Sequence, residues 1–339
     1  MMITSQGLEQ LNTPGWELLQ AALVSSNAVL MVGAGCSVDL GYPLLPNLIS
    51  LMRSALIPDI AIPNLPDDKS RAFFIKCKCQ DAHNGNLEPY WRFLRDRFLP
   101  RFPTHQQFHC DLVSLKFAGF VTTNYDTVIE SAIGQEFSPE RRPCEPINLC
   151  DVNEHYRVLE FLRELGNSHS DRYRVLHLHG HYNRPENIIL ARDEYERFYT
   201  HRTLKADWTF VSNNAHPETS LHHKVIWSLL ATKTVVFIGF GLEDEFFNDV
   251  LSVWRQDFRL VAERPHIAIM GLNRTDDPLH KQANLKQAGI TPIFYEILGE
   301  DDKDHSELYR LVTELAEPFR KSKVPPSANE VTRRTLELH

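Results

Sequence analysis

The chain has 339 residues, 42% hydrophobic and 24% charged, with a formal net charge of -8. That length accommodates one large α/β domain or two smaller ones, with a core that needs no disulfide staples. The acidic balance argues against a general nucleic-acid binder, and no apolar run approaches the ~18 residues of a membrane span. The segment MMITSQGLEQ lacks the basic and apolar regions of a secretory leader. A cytoplasmic protein with reduced thiols is therefore the expectation.

In chain order, Thr13 and Pro14 read as a helix start, a capping hydroxyl followed by proline at the first helical position; the helix then runs to about residue 26. The apolar run Ala28–Val32 is the first strand and ends on GAGCS (33–37). Residues 58–116 contain no convincing strand. They show helical periodicity over 70–82, over 88–99 with Asn86 as cap, and over 104–116, which predicts a helical insertion. A second strand (119–121) ends on TTNYD (122–126) and leads into the helix TVIESAI.

An irregular stretch, 137–171, holds one helix at 154–165. The strand 174–176 then ends on HLHG (177–180), followed by a short strand at 188–190 and helices at 193–199 and 220–231. The strand Thr234–Ile238 ends on GFGLED (239–244), with a helix beginning near Glu243. Buried strands at His266–Leu272 and 291–298 flank a helix, and a last helix spans 305–320. The polar tail 321–339, with Pro325 and Pro326, is expected to be flexible. This alternation predicts an α/β, Rossmann-like, doubly wound parallel sheet with a helical insertion, a single domain over 14–320 with the insertion at 58–116.

Four polar clusters thus close four apolar strands. In an open parallel sheet that end of the strands is where ligands bind. GAGCS lets the backbone approach a pyrophosphate, although a G-x-G turn also arises wherever two backbones pack closely. Val38 stands where a dehydrogenase would place its third glycine, and the next strand comes far too late for a ribose-binding acid. The turn suits a dinucleotide; its surroundings do not suit hydride transfer.

Asn124 and Asp126 either cap the following helix or face a ligand; Thr122 and Thr123 add hydroxyls that a cap does not require. Alternation places Val175, His177 and His179 on one face of their strand. His177 reads as a satisfied core histidine. His179, beside Gly180, reads as the candidate base. The pairs His105/His109 and His222/His223 read as helix-surface residues. Glu243 and Asp244 sit in a first helical turn, where acids are favourable in any case. Six cysteines form no C-x-x-C pair, and Cys77 and Cys79 are too close together for a zinc clip, so no metal is expected.

Taken in this order, the four clusters resemble the sirtuin-like NAD-binding domain, in particular the divergent bacterial branch found in anti-phage defence systems. The resemblance covers 24–295, and NIILARDEYERFY (187–199) is also similar to that branch. It implies that Gly33, Ala34, Gly35 and Ser37 hold the pyrophosphate and adjoining ribose, with Thr123 at the same strand end. It implies further that Asn124 meets the nicotinamide ribose, Asp126 the nicotinamide end, and Gly239, Gly241 and Asn273 the adenosine side, with His179 as base.

This chain departs from the deacylases of that family. It has no four-cysteine zinc module, Leu44, Leu45 and Pro46 follow Pro43 where Asp-Phe-Arg is usual, and Gly241 stands where serine or threonine is common. Water then replaces acyl-lysine as nucleophile. The implied activity is hydrolysis of NAD to nicotinamide and ADP-ribose, gated by a partner protein or by homo-oligomerisation. A protein deacylase or ADP-ribosyltransferase, and a non-catalytic NAD or ADP-ribose sensor, stand as alternatives.

Overall fold

The computed structural model describes residues 5–138, 142–165, 174–199, 220–242, 245–258, 265–299 and 304–321. Glu243, Asp244 and the tail beyond residue 321 lie outside them. The strands are β1 (Ala28–Val32), β2 (Gly119–Thr122), β3 (Pro146–Asn148), β4 (Val175–His177), β5 (Thr234–Ile238), β6 (His266–Leu272) and β7 (Ile290–Glu296). They form one sheet in the order β3-β4-β2-β1-β5-β6-β7, and each neighbouring pair is parallel.

Among the described residues five helices precede β2: α1 (Ser5–Val24), α2 (Leu45–Leu56), α3 (Asp68–Ala82), α4 (Glu88–Phe98) and α5 (Gln107–Ser114), the last leading into that strand. Then come α6 (Val128–Phe137), α7 (His155–Glu164), α8 (Arg192–Tyr199) and α9 (Leu221–Thr232). The last three are α10 (Glu245–Asp257), α11 (Pro278–Gln287) and α12 (Ser306–Lys321). The doubly wound sheet expected from the strand–helix alternation is present.

β1 explains why its sequence is apolar throughout. Ala28, Leu30 and Val32 pack into the cluster formed with α1, α5, α6 and α12, whereas Val29 and Met31 face the cluster under α7, α9 and α10. A strand covered on both faces needs no polar alternation. A third core, built around Met52, Ile75, Tyr90 and Leu94, belongs to α2, α3 and α4. Of these, α3 and α4 lie within 58–116 and α2 just before it, while α5 packs on α6 and α12.

Three expectations need correcting. Helix α1 begins at Ser5, so Pro14 lies inside it and Thr13 bonds back to the Glu9 carbonyl at 3.0 Å instead of capping. Docking on β7 outweighs the local start signal: the Asn12 amide donates to the Phe294 carbonyl and accepts its N–H, each at 2.8 Å. Residues 188–190 form no strand; they cross beneath the site as buried loop, Ile189 N–H donating to the His179 carbonyl at 3.0 Å. The sheet instead gains β3, at its edge, from a stretch that reads as irregular.

From β1 the chain passes to β2, then out to the edge strand β3, steps back to β4 between them, and crosses the sheet to place β5 on the other side of β1. The turns leaving β1 and β5 face one another at this reversal, the position where open α/β sheets bind ligands. Gly33 N–H donates to the Ile238 carbonyl at 2.9 Å and Gly35 N–H to the Gly239 carbonyl at 3.0 Å. A Cβ on Gly33 would lie 2.3 Å from the Gly239 carbonyl oxygen, and one on Gly239, at φ 62°, would lie 2.6 Å from Cys36 Sγ. Gly33→Ala should therefore cost about 1–3 kcal/mol through overpacking. Urea denaturation reads this directly; unchanged stability would mean that the two turns separate freely.

Candidate functional site

A cleft of about 580 Å³ opens at this reversal. Its walls are the two glycine turns, residues 123–126, His179 and Tyr195, with Tyr42–Pro46 and Asp67–Lys69 closing the side toward the insertion. Gly33, Ala34, Gly35, Ser37, Thr123, Asn124, Asp126, His179, Gly239 and Gly241 all line it. Asn273 does not; it follows β6, and its N–H donates to the Asp276 carboxylate at 2.9 Å within a turn. A hollow of about 770 Å³ between α10 and α11 holds no titratable lining group except Arg255, which leaves little chemistry there.

The first glycine turn works differently from a plain N–H cradle. Because the Gly33 and Gly35 N–H groups are taken up by β5 and its turn, those glycines bring two backbones together and expose bare surface to the cleft. His109 adds a brace from α5. Its Nδ1 accepts the Gln106 N–H at 3.0 Å, so Nε2–H donates to the Cys36 carbonyl at 2.7 Å.

Asn124 is fixed by three bonds. Its N–H donates to Thr122 Oγ1 at 3.0 Å, and Thr122 in turn donates to the Val32 carbonyl at 2.8 Å. Its Nδ2 donates to the Gly33 carbonyl at 3.2 Å and to Ser37 Oγ at 3.3 Å. A carbonyl only accepts, so the amide orientation is determined and Oδ1 must be the remaining acceptor. That Oδ1 is buried and, among the described residues, has no partner. Such a group costs about 1–3 kcal/mol unless something donates to it. A ribose hydroxyl or a water meets that requirement.

Asp126 continues the network. It accepts the Val128 N–H at 3.1 Å, as a helix-capping residue does, and a hydrogen bond from Ser37. Asp126 thus meets the first N–H of α6 from the position before the N-cap, Thr127, and also lines the cleft. Burial pushes its carboxyl up to about 6, with the nearby Glu130 charge adding to the rise and the bonds from Val128 and Ser37 opposing it. At neutral pH it is mostly a carboxylate held in a place that resists charge.

Below it, His177 is completely buried. Its Nδ1 donates to the Asn124 carbonyl at 2.9 Å and its Nε2 meets Glu130 Oε1 at 2.6 Å. Burial opposes its protonation, but the Glu130 carboxylate and the Asn124 carbonyl outweigh burial and raise its pKa. His177 is a satisfied structural histidine, as its sequence position implies.

His179 is placed otherwise than strand alternation predicts. β4 ends at His177, the backbone bends over 178–179, and His179 turns toward α8 while His177 stays under α6. His179 Nε2 lies 2.7 Å from Tyr199 Oη and Nδ1 lies 3.5 Å from Tyr195 Oη. Both tyrosine rings stand edge-on to the imidazole, with centroids at 5.2 and 5.7 Å. His181 instead packs beside His177, and burial pushes it down to about 3, leaving it neutral.

The supposed surface histidines are also buried: His109, His222 and His223 are 1%, 2% and 5% exposed. His222 donates through Nε2 to the Leu178 carbonyl at 2.9 Å, and burial pushes its pKa down to about 3. Reading Glu130, Tyr195, Tyr199 and His222 into the site needed the fold, although the Tyr195/Tyr199 spacing of four already placed both rings on one helix face. Among the described residues no group of three or more His, Cys, Asp or Glu side chains could hold a metal ion.

Asp126 ties stability to pH with a definite sign. Its folded-state pKa, about 6, lies above the ordinary 3.8, so the folded chain binds the extra proton between those values and stability falls as pH rises through them. Asp126→Asn keeps an acceptor for Val128 and removes that penalty. It should be more stable than wild type by up to about 3 kcal/mol above pH 6, with the gain vanishing below pH 4. Urea denaturation at pH 4 and pH 8 checks both; a variant less stable at pH 8 would contradict it.

Comparison with known proteins agrees with this geometry. A profile described as "SIR2-like domain" matches residues 118–293, from the start of β2 into β7. The chain is 23% identical over 321 residues to Defense-associated sirtuin 2 of Bacillus subtilis, covering 89% of this chain and 26% of that protein. It is 23% identical over 258 residues to the NAD(+) hydrolase ThsA of Bacillus cereus (strain MSX-D12), covering 76% and 46%. For the NAD(+) hydrolase ThsA of Enterococcus faecium the values are 24% over 259 residues, covering 74% and 44%. The chain thus spans between a quarter and a half of the length of these relatives. A profile match over more than half of the chain, on a doubly wound parallel sheet, places this protein in the SIR2-like family.

Proposed function

We propose that the cleft hydrolyses NAD to nicotinamide and ADP-ribose. The observation that carries this is the Asn124 amide, fixed through Nδ2 by Gly33 and Ser37, with a buried Oδ1 that has no partner among the described residues, in a cleft that Asp126 and His179 also line. The names of the relatives, an NAD(+) hydrolase and a defence-associated sirtuin, support the same reading; a cytoplasmic effector of anti-phage defence is part of the proposal.

The chemistry follows from the charges. Nicotinamide leaves as a neutral molecule from a cationic ring, so the departing group needs no acid. The demand falls on the oxocarbenium-like ribose carbon and on water delivery. The Asp126 carboxylate and Asn124 Oδ1 supply preorganised negative potential for that carbon. His179 takes the proton from the attacking water. Gly33, Ala34, Gly35, Ser37 and Thr123 would flank the pyrophosphate and adjoining ribose, and Gly239 and Gly241 the adenosine side; Asn273 would reach the adenosine only from beyond the cleft wall.

Purified protein given NAD should release nicotinamide, and His179→Ala should lower the rate by about 10²–10⁴-fold without unfolding the chain. His177→Ala should act mainly on stability. Near wild-type turnover in folded His179→Ala protein would remove that residue from the reaction. Acetyl-peptide that accelerates release would favour a deacylase, and tight NAD binding without turnover under activating conditions a sensor.

Gating belongs to the proposal. The Tyr309 hydroxyl of α12 bonds to Asp39 in the 3-10 segment that follows the first glycine turn, so whatever moves α12 moves a cleft wall. Assembly of copies or docking of a partner protein could act there. To raise a competent state from ~1% to ~99%, such a trigger must favour it by about 5.5 kcal/mol. Turnover per chain should therefore rise with protein concentration or with added partner. Full, concentration-independent activity in the monomer would exclude this gating.

A further inference from the structure

Asn124 and Asp126 both lie on the stretch between β2 and α6, outside strand and helix. Backbone groups in such a stretch need partners from elsewhere. The Asn124 N–H is taken by Thr122 Oγ1 at 3.0 Å, and its carbonyl accepts from His177 Nδ1 at 2.9 Å. A carbonyl only accepts, so the direction of that second bond is fixed and Nδ1 carries a proton. The Asn124 side chain alone is the weaker anchor. Its Nδ2 bonds to Gly33 and Ser37, at 3.2 and 3.3 Å, lie at the long end of the N–H···O range.

His177 is held from its other side by Glu130. That residue is buried in the first turn of α6, with Oε1 2.6 Å from Nε2. A carboxyl oxygen and a ring nitrogen at that distance share a proton, whichever of the two carries it, so the imidazole is bonded at both nitrogens. The contacts close a ring. From Asn124 the chain runs through Asp126 and Val128 to Glu130, and from Glu130 the side chains lead back through His177 to the Asn124 carbonyl. Asp126 lies on that ring and is tied to it again by the Val128 N–H.

Such a pair is a costly way to fill a core. Well-packed apolar residues of similar volume are often neutral or stabilising in place of a buried carboxyl and its cationic partner. What apolar residues cannot do is donate to the Asn124 carbonyl. The neighbouring His181 does not do so either: its ring stands 5.3 Å from that of His177, and its Nδ1 accepts the Asn183 N–H at 3.4 Å.

We propose that Glu130 is a positioning residue of the cleft: acting through His177, it locks the Asn124 main chain and so aims Oδ1, together with the adjoining Asp126 carboxyl, at the bound ribose. The effect on turnover rests on the proposed hydrolysis; the hold on Asn124 does not. Alanine at His177 would open a hole beneath the loop and reads mainly as lost stability, so Glu130 is the informative position.

The test uses the whole chain with ¹⁵N-labelled asparagine, and NAD as substrate. The Asn124 side-chain amide signals are identified by their absence from the Asn124→Asp spectrum. Glu130→Leu removes the carboxyl, whereas Glu130→Gln keeps a neutral partner for Nε2. Per folded chain, Glu130→Leu should lower turnover by ~10–100-fold, the scale of a small misplacement in a site, and should shift the Asn124 amide signals. Glu130→Gln should fall between that variant and wild type in both readouts. A Glu130 that only stabilised the fold would lower the folded fraction and leave both unchanged. Either readout at its wild-type value in folded Glu130→Leu, or in Glu130→Gln where the leucine variant does not fold, would overturn the proposal. If the activated wild type releases no nicotinamide, the proposed hydrolysis alone fails, and the amide signals decide whether Glu130 holds Asn124.

Discussion

The closeness of two backbones, at Gly33 and Gly239, is the constraint on which the rest of the cleft depends. Neither position has room for a Cβ, because each turn occupies the space the other's side chain would need. Contact at that point sets where the Gly33 carbonyl stands. The carbonyl orients the Asn124 amide, the amide orients Ser37, and Ser37 bonds to Asp126. A steric fact about two glycines thereby bears on the placement of Asn124, Ser37 and Asp126 in the β1–β2 half of the site.

The other half is assembled from the opposite direction. His179 sits just beyond the end of β4, held by the Ile189 N–H on its own carbonyl, by α8 at its ring and by His222 on the Leu178 carbonyl. Helix α8 in turn is tied to the insertion through Arg192 and Lys76. The insertion thus does more than flank the cleft: through α8 it bears on the placement of the candidate base. Charge is kept here at a cost. Asp126 is largely ionised at neutral pH although burial opposes it, and an orphaned Asn124 Oδ1 adds to that expense. Unsatisfied and reluctantly charged groups of this kind gather at functional sites.

Much of this was legible in the residues. The strands with both faces covered announced themselves as unbroken apolar runs, and each strand-end cluster marked a wall of the cleft. Elements that depend on distant partners were not legible. β3 is three residues long and pairs only because β4 lies beside it, whereas 188–190 has a strand-like composition but is taken up by His179 and Tyr125. The start of α1 was misplaced because docking on β7 overrides a local proline signal. Alternation failed at His179 because it holds only while the strand lasts. Histidines 109, 222 and 223 read as surface because a helix alone does not tell which of its faces will be covered.

Members of all four strand-end clusters line one cleft, and the proposed nucleotide site is centred there on Asn124. The most direct test is a crystal structure of the His179→Ala chain with NAD bound. The nicotinamide ribose should donate a hydroxyl to Asn124 Oδ1, with the pyrophosphate against Gly33–Gly35 and the nicotinamide toward Asp126. A dinucleotide bound elsewhere, or lying in the cleft with Asn124 Oδ1 still unpartnered, would contradict it.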